Sequence, residues 1–251
     1  MKKNALLLGL GLLCLLLGSC SENEQPPTYV FPLQVGNYWE MINTINCFNE
    51  DNESTYIDTM YIWIDMAMTS PSDEDCYRVK YRYSTTDPDC FYYEYVVNRP
   101  DGFYLLGWSN IGVLPPFKGM KAKWNPGLFR RFVKDVESKE TVWLDEPRMI
   151  VPKSCKVGTE WSYPESSHYL PVTYTIEAKM NISTGCGNMN CHTRKSVVDF
   201  DIDWEYYNYF CSKGMAKFYY EMEEELIDEH GNHIDNQTVT WELLLKKCEL
   251  N

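Results

Sequence analysis

Histidine is scarce in this chain, four residues in 251, and basic residues are outnumbered, 23 Lys and Arg against 36 Asp and Glu. A net charge of −13 lacks the electrostatic footprint of a nucleic-acid binder, because phosphates would be repelled. So little imidazole leaves small capacity for general-base chemistry. No G-x-S-x-G elbow, Walker A loop or H-E-x-x-H zinc pair occurs. Carboxylate pairs stay open, since acidic residues are many. Long apolar runs are lacking too. Residues 5–17 form one nearly unbroken stretch, and no run, this one included, reaches the ~18 residues that mark a membrane helix.

What is present begins with that stretch. Lys2 and Lys3 precede it, and its thirteen residues would reach only ~20 Å as a helix, short of a ~30 Å hydrocarbon core. A run so short behind two lysines is a signal-peptide h-region. Leu17-Gly18-Ser19-Cys20 follows and is similar to the lipobox of bacterial lipoproteins. That likeness implies cleavage between Ser19 and Cys20, with lipid on the Cys20 sulfur anchoring the chain to a membrane. Several acyl chains on one residue make such attachment stable. Residues 1–19 are therefore read as a signal peptide and 20–29 as lipidated cysteine and flexible tether, polar, acidic and ending near Pro26-Pro27. Ser21 and the acidic residues behind it also resemble the export signal of surface-displayed lipoproteins. The anchor is expected in an outer membrane, facing the cell surface or, alternatively, the periplasm.

Ten cysteines become eight once Cys14 is cleaved off and Cys20 is acylated: Cys47, Cys76, Cys90, Cys155, Cys186, Cys191, Cys211 and Cys248. An even set in an exported chain favours disulfides over metal ligation. Cys186–Cys191 is the expected local bridge, and Cys211–Cys248 the expected bridge across the far ends of the last hairpin. Cys186 to His192 has the outline of a haem-attachment site, but two residues too many separate its cysteines. His230 and His233 lack a third ligand, and the acidic run Asp199, Asp201, Asp203, Glu205 lacks the glycine of a calcium loop. No metal and no cofactor is expected.

Period-two alternation dominates the rest and predicts half-buried strands. It runs through residues 173–182, 198–206, 239–245 and 77–83. Residues 56–68 are apolar on both faces, as in a strand covered on both sides. Turn chemistry at Thr86-Asp87-Pro88-Asp89, Arg99-Pro100-Asp101-Gly102 and His230-Gly231-Asn232 punctuates the runs, the last predicting a terminal hairpin. One stretch reads helical, residues 128–136 behind Asn125-Pro126. The expected fold is mainly β and antiparallel, a curved sheet or half-barrel with at most one or two short helices, in a single domain over 30–251.

Val35-Gly36-Asn37-Tyr38-Trp39 is echoed 122 residues later by Val157-Gly158-Thr159-Glu160-Trp161, which allows two related half-sheets, 30–150 and 151–251. The opening Phe31-Pro32-Leu33-Gln34-Val35-Gly36-Asn37-Tyr38-Trp39 resembles the start of many uncharacterised bacterial lipoproteins whose mature domain begins F-P-L-x-V-G-N-x-W. Gly185 to Cys191 and the closing Trp241-Glu242-Leu243 have counterparts there. The resemblance implies a β-rich lipoprotein, with a curved sheet like that of periplasmic lipoprotein carriers, and brings no catalytic residues. The Gly–Cys element is richer in cysteine here, and residues 118–139 match nothing in that pattern.

Within those residues Lys118, Lys121, Lys123, Arg130, Arg131 and Lys134 surround Trp124, a solvated basic face or a headgroup or glycan site. Nineteen tyrosines and eight tryptophans serve sheet packing and could also furnish sugar-stacking platforms. The chain is read as a non-catalytic lipoprotein that binds a small molecule, glycan or protein on a sheet face. The alternatives are a lipid or hydrophobic-ligand carrier and a glycan-active enzyme. Cys20→Ala is expected to abolish uptake of a palmitate analogue in metabolic labelling; label retained by the variant would overturn the lipobox reading.

Overall fold

The computed structural model describes residues 29–49, 53–85, 89, 91–111, 141–166, 170–199, 204–227 and 233–251. Twelve strands account for the regular structure among them: β1 (Tyr38–Phe48), β2 (Glu53–Thr69), β3 (Asp75–Tyr83), β4 (Phe91–Arg99), β5 (Gly102–Ile111), β6 (Val142–Pro152), β7 (Glu160–Tyr163), β8 (Val172–Thr184), β9 (Gly187–Val198), β10 (Trp204–Cys211), β11 (Gly214–Ile227) and β12 (His233–Glu249). All pair antiparallel in one nearly closed, barrel-like sheet of order β6-β5-β4-β3-β2-β1-β12-β11-β10-β9-β8-β7. The mainly antiparallel expectation holds, with closure going beyond a half-barrel. The helical reading of 128–136 lies outside the described residues.

Alternation decides what points inward. On β1, Trp39, Met41, Asn43 and Ile45 are buried, with half-buried residues between them. They meet Leu245, Leu243 and Trp241 of β12 across the ladder that joins the first strand to the last. Trp241 Nε1 donates to Asn43 Oδ1, a buried side-chain bond across the ladder. The interior is filled by large side chains, among them Trp39, Trp241, Tyr81, Tyr92, Tyr174, Tyr206 and Tyr220.

The two Val-Gly turns share one geometry. Gly36 (φ +95°) and Gly158 (φ +86°) are left-handed, where a side chain would be strained. Gly36 N–H donates to Ile64 O, Ile64 N–H to Asn37 O, and Asn37 N–H to Gln34 O, at 2.8, 3.0 and 3.1 Å. Gly158, Ile176, Thr159 and Lys156 repeat that triple at 2.7, 2.9 and 3.0 Å. Each turn launches a strand into a six-strand meander, β1–β6 and β7–β12. The meanders are laddered at β1/β12; at β6/β7 side chains bridge the gap. Trp161 Nε1 donates to Met149 O (3.0 Å), Met149 N–H to the Tyr163 hydroxyl (2.5 Å), and Arg194 Nη1, from β9, to Ile150 O (2.7 Å).

Residues 29–31 enter one end of this interior. Phe31 stacks on Phe103 at 4.6 Å, Tyr29 meets Phe210 edge-on at 5.8 Å, and Tyr29 N–H donates to Lys153 O at 2.7 Å. Trp39 Nε1 donates to Lys213 O beneath Gly214, whose missing Cβ would lie 3.3 Å from that nitrogen.

Two strand readings need correction. Residues 198–206 are not one strand. Val198 and Trp204 face each other across β9 and β10, so the chain reverses between them. The aspartates that alternate there mimic a strand's solvent face. Residues 56–68 are not covered on both sides either, for the outward residues of β2 stay half-buried or exposed. The terminal hairpin forms as expected, β11 pairing with β12.

Gly158→Ala adds a Cβ with no atom within 4 Å, so only the left-handed φ opposes it, at a cost of about 1–2 kcal/mol. Gly185→Ala would overlap Lys246 O while the Gly185 N–H is bonded to Leu245 O at 2.9 Å, and should cost more, above about 2 kcal/mol. Urea midpoints check the order; equal midpoints would contradict it.

Candidate functional site

The outward face of β2 and β3 gathers aromatic rings and cations. Side chains directly opposite on paired strands share a face. Register sets Tyr38 against Trp63, Tyr61 against Arg82, Trp63 against Lys80, and Lys80 against Tyr93. Tyr38, Tyr61 and Trp63 form a half-buried cluster with centroids 5.7–6.5 Å apart, Tyr38 and Tyr61 only 17° from parallel. The Arg82 guanidinium lies 5.4 Å from Tyr61 and 5.9 Å from Trp63, Lys80 Nζ 3.4 Å from Phe91, and Arg78 4.6 Å from Tyr93. Each contact sets a cation on the negative face of a ring.

These cations differ in their commitments. Arg78 forks onto Asp65 with two 2.9 Å bonds, which raises its pKa further. Arg99 forks likewise onto Glu74 (2.8 and 2.7 Å), holding that carboxyl below its usual range. Lys80 and Arg82 have no carboxylate at ion-pair distance among the described residues, and the buried Nε of Arg82 has no acceptor there. Burial and then neighbouring Glu40 push the Tyr38 hydroxyl up to about 12, so it stays protonated and able to donate.

The second half presents the opposite character. Lys195 and Lys217 are held by Glu205 and Glu242, and Tyr207, Tyr209 and Tyr219 stand among those pairs with Glu177 and Glu221. Lys80 and Arg82 thus lie beside aromatic rings on one outward face without an ion pair among the described residues.

No family model and no curated protein matches the chain. Among solved structures it is similar to a candidate lipoprotein from Parabacteroides distasonis ATCC 8503, with 13% identity, a TM-score of 0.33, and 90% of this chain and 100% of that chain covered. It is also similar to a candidate exported protein with a YmcC-like fold from Bacteroides fragilis NCTC 9343, at 12% identity and a TM-score of 0.31, covering 88% of this chain and 99% of that one. Likenesses this slight assign no function.

The residues singled out from sequence fall elsewhere. Ser19, Cys20, Cys90, Asp201, Asp203, His230 and the basic stretch 118–134 lie outside the described residues. Cys47 is half-buried on β1, and Cys76 is buried with Tyr93, Tyr95, Val97 and Leu106 in a second apolar cluster. Cys155 is buried, donates to Pro152 O at 3.2 Å, and burial lifts its thiol to about 12. No two of the seven described cysteines are bonded through sulfur. The expected pairs are not those brought together. Cys186 and Cys191 stand at opposite ends of an extended segment, ~13 Å or more apart against a ~7 Å limit for a bridge. Cys211 and Cys248 are separated by the whole of β11, ~9–10 Å. Instead Cys186 lies against Cys248, and Cys191 against Cys211. His192 is buried, its pKa lowered by that burial and then by Lys179.

Sequence reasoning missed the aromatic patch by assigning β2 two covered faces. It also missed buried Glu94, which accepts from the Tyr81 hydroxyl at 2.6 Å, and buried Arg194. The signal for the patch was legible: Arg78, Lys80 and Arg82 alternate on one strand directly after the run containing Tyr61 and Trp63.

Proposed function

We propose that this chain is a membrane-anchored, extracytoplasmic lipoprotein of non-catalytic type, which binds an anionic glycan on the outer face of β1–β4. The observation that carries the reading is the half-buried Tyr38–Tyr61–Trp63 cluster beside two cations that no carboxylate of the described residues neutralises. Aromatic rings stack on the C–H faces of sugars, and a planar guanidinium forks onto a carboxylate or sulfate. An acidic chain that keeps Lys80 and Arg82 unpaired reserves them for a negative charge arriving from outside. A carrier of hydrophobic ligands would need an open interior, whereas Trp39, Trp241, Tyr81, Tyr92 and Tyr174 occupy this one. Lipid on Cys20 would hold the domain to the outer membrane, and the tether ahead of Tyr29, which is buried in the domain rather than part of the tether, would let it face the surface or the periplasm.

Affinity electrophoresis in gels containing polygalacturonate, with dextran as the neutral control, provides the test. The wild-type lipoprotein should be retarded by polygalacturonate. Trp63→Ala or Arg82→Gln should weaken binding by roughly 10-fold, about 1.4 kcal/mol, while Tyr219→Ala on the acidic half leaves it unchanged. No retardation, or equal loss in Tyr219→Ala, would sink the proposal.

A further inference from the structure

The cysteine positions support a connectivity that differs from the one spacing along the chain predicts. In the β9/β10 ladder His192 faces Phe210, so the next opposed pair is Cys191 with Cys211. Both are buried, and both converge on one residue: Cys191 Sγ contacts Met189 O at 3.5 Å and Cys211 Sγ contacts Met189 Sδ at 3.4 Å. The second pair meets where the β8–β9 turn folds onto the last strand. Gly185 N–H donates to Leu245 O at 2.9 Å, and only a residue without Cβ fits against Lys246 O. That contact places Cys186 beside Cys248, and both sulfur-bearing side chains are half-buried against the main core.

We propose that Cys191–Cys211 and Cys186–Cys248 form two disulfides in the exported protein, fastening β9 to the end of β10 and the β8–β9 turn to β12. They lock the end of the barrel that Tyr29 and Phe31 enter, where the tether begins.

The oxidant is a protein disulfide of the export compartment. The Cys211 thiolate attacks one of its sulfurs, giving a mixed disulfide and one oxidant thiolate. Cys191 loses its proton and attacks Cys211 Sγ, expelling the second thiolate. Two S–H bonds are broken and one S–S bond formed in this chain; the oxidant gains two electrons and takes up two protons as a dithiol. Cys186 and Cys248 react by the same steps. Cys211 is built to attack first. The hydrogen bond from Cys191, the N–H groups of Lys213 and Gly214 and the Lys213 charge outweigh burial and bring its thiol down to about 7. Cys191, beside it, is pushed up.

The full exported lipoprotein is alkylated during extraction without reductant, digested and mapped by mass spectrometry. Peptides linking 191 to 211 and 186 to 248 are expected. Alkylated thiols at these four positions, or links 186–191 and 211–248, would overturn the proposal. In a second arm the reduced chain is reoxidised with oxidised glutathione. Formation of the 191–211 link should accelerate severalfold from about pH 6 to about pH 8, levelling off above the Cys211 pKa near 7. A rate flat across that range would contradict the role given to Cys211. The linkage map needs no variant, so it decides even if Cys211→Ser fails to fold.

Discussion

A twelve-strand meander must close or leave two long edges open to other chains. The first and last strands solve half of that problem with a continuous ladder. The other half is solved by side chains across the gap between β6 and β7. The Trp161 indole and the Tyr163 hydroxyl satisfy the amide and carbonyl of Met149, and Arg194 reaches through the interior to Ile150 O. Pro147 within β6, and Pro164 just past a β7 of four residues, shorten what an intruding strand could pair with. A buried guanidinium is costly unless its donors are met. Here Asn208 Oδ1 at 2.6 Å and Ile150 O accept from its two terminal nitrogens, and the rings of Tyr174 and Phe210 lie against it, so closing the seam and holding the cation are one arrangement.

Closure in this form decides where function resides. A seam tied through the interior requires side chains that cross it, and large aromatic residues share that interior with them. On the outside the two meanders diverge although their entry turns share one hydrogen-bond pattern. The first turns rings, Lys80 and Arg82 outward; the second sets Lys195 and Lys217 against Glu205 and Glu242. On the proposed reading the second meander supports and the first recognises, and the barrel end that admits Tyr29 and Phe31 sets where the chain ahead of them joins the domain.

Strand alternation made most of the architecture legible, because a half-buried strand has only one way to order its residues. The Val-Gly turns were legible for the same kind of reason: a left-handed glycine before a tryptophan is a local geometry. Alternation failed where two elements imitate each other. Asp199 to Glu205 alternates like a solvated strand face while the chain reverses there. Residues 56–68 looked covered on both sides because apolar character does not say whether a face is packed or offered to a ligand. Cysteine pairing was illegible for a different cause. Spacing along the chain favoured Cys186 with Cys191, but an extended strand carries near neighbours apart, and only the closed sheet brings Cys186 to Cys248.

Recognition by the outer face of the first meander is the proposal's core, and hydrogen–deuterium exchange of the protein with and without a saturating polyuronate oligosaccharide tests it most directly. The account predicts slowed exchange confined to peptides of β1, β2 and β3 that carry Tyr38, Tyr61, Trp63, Lys80 and Arg82, with β9–β12 unchanged. Protection centred on the β6/β7 seam or on the acidic half would contradict it.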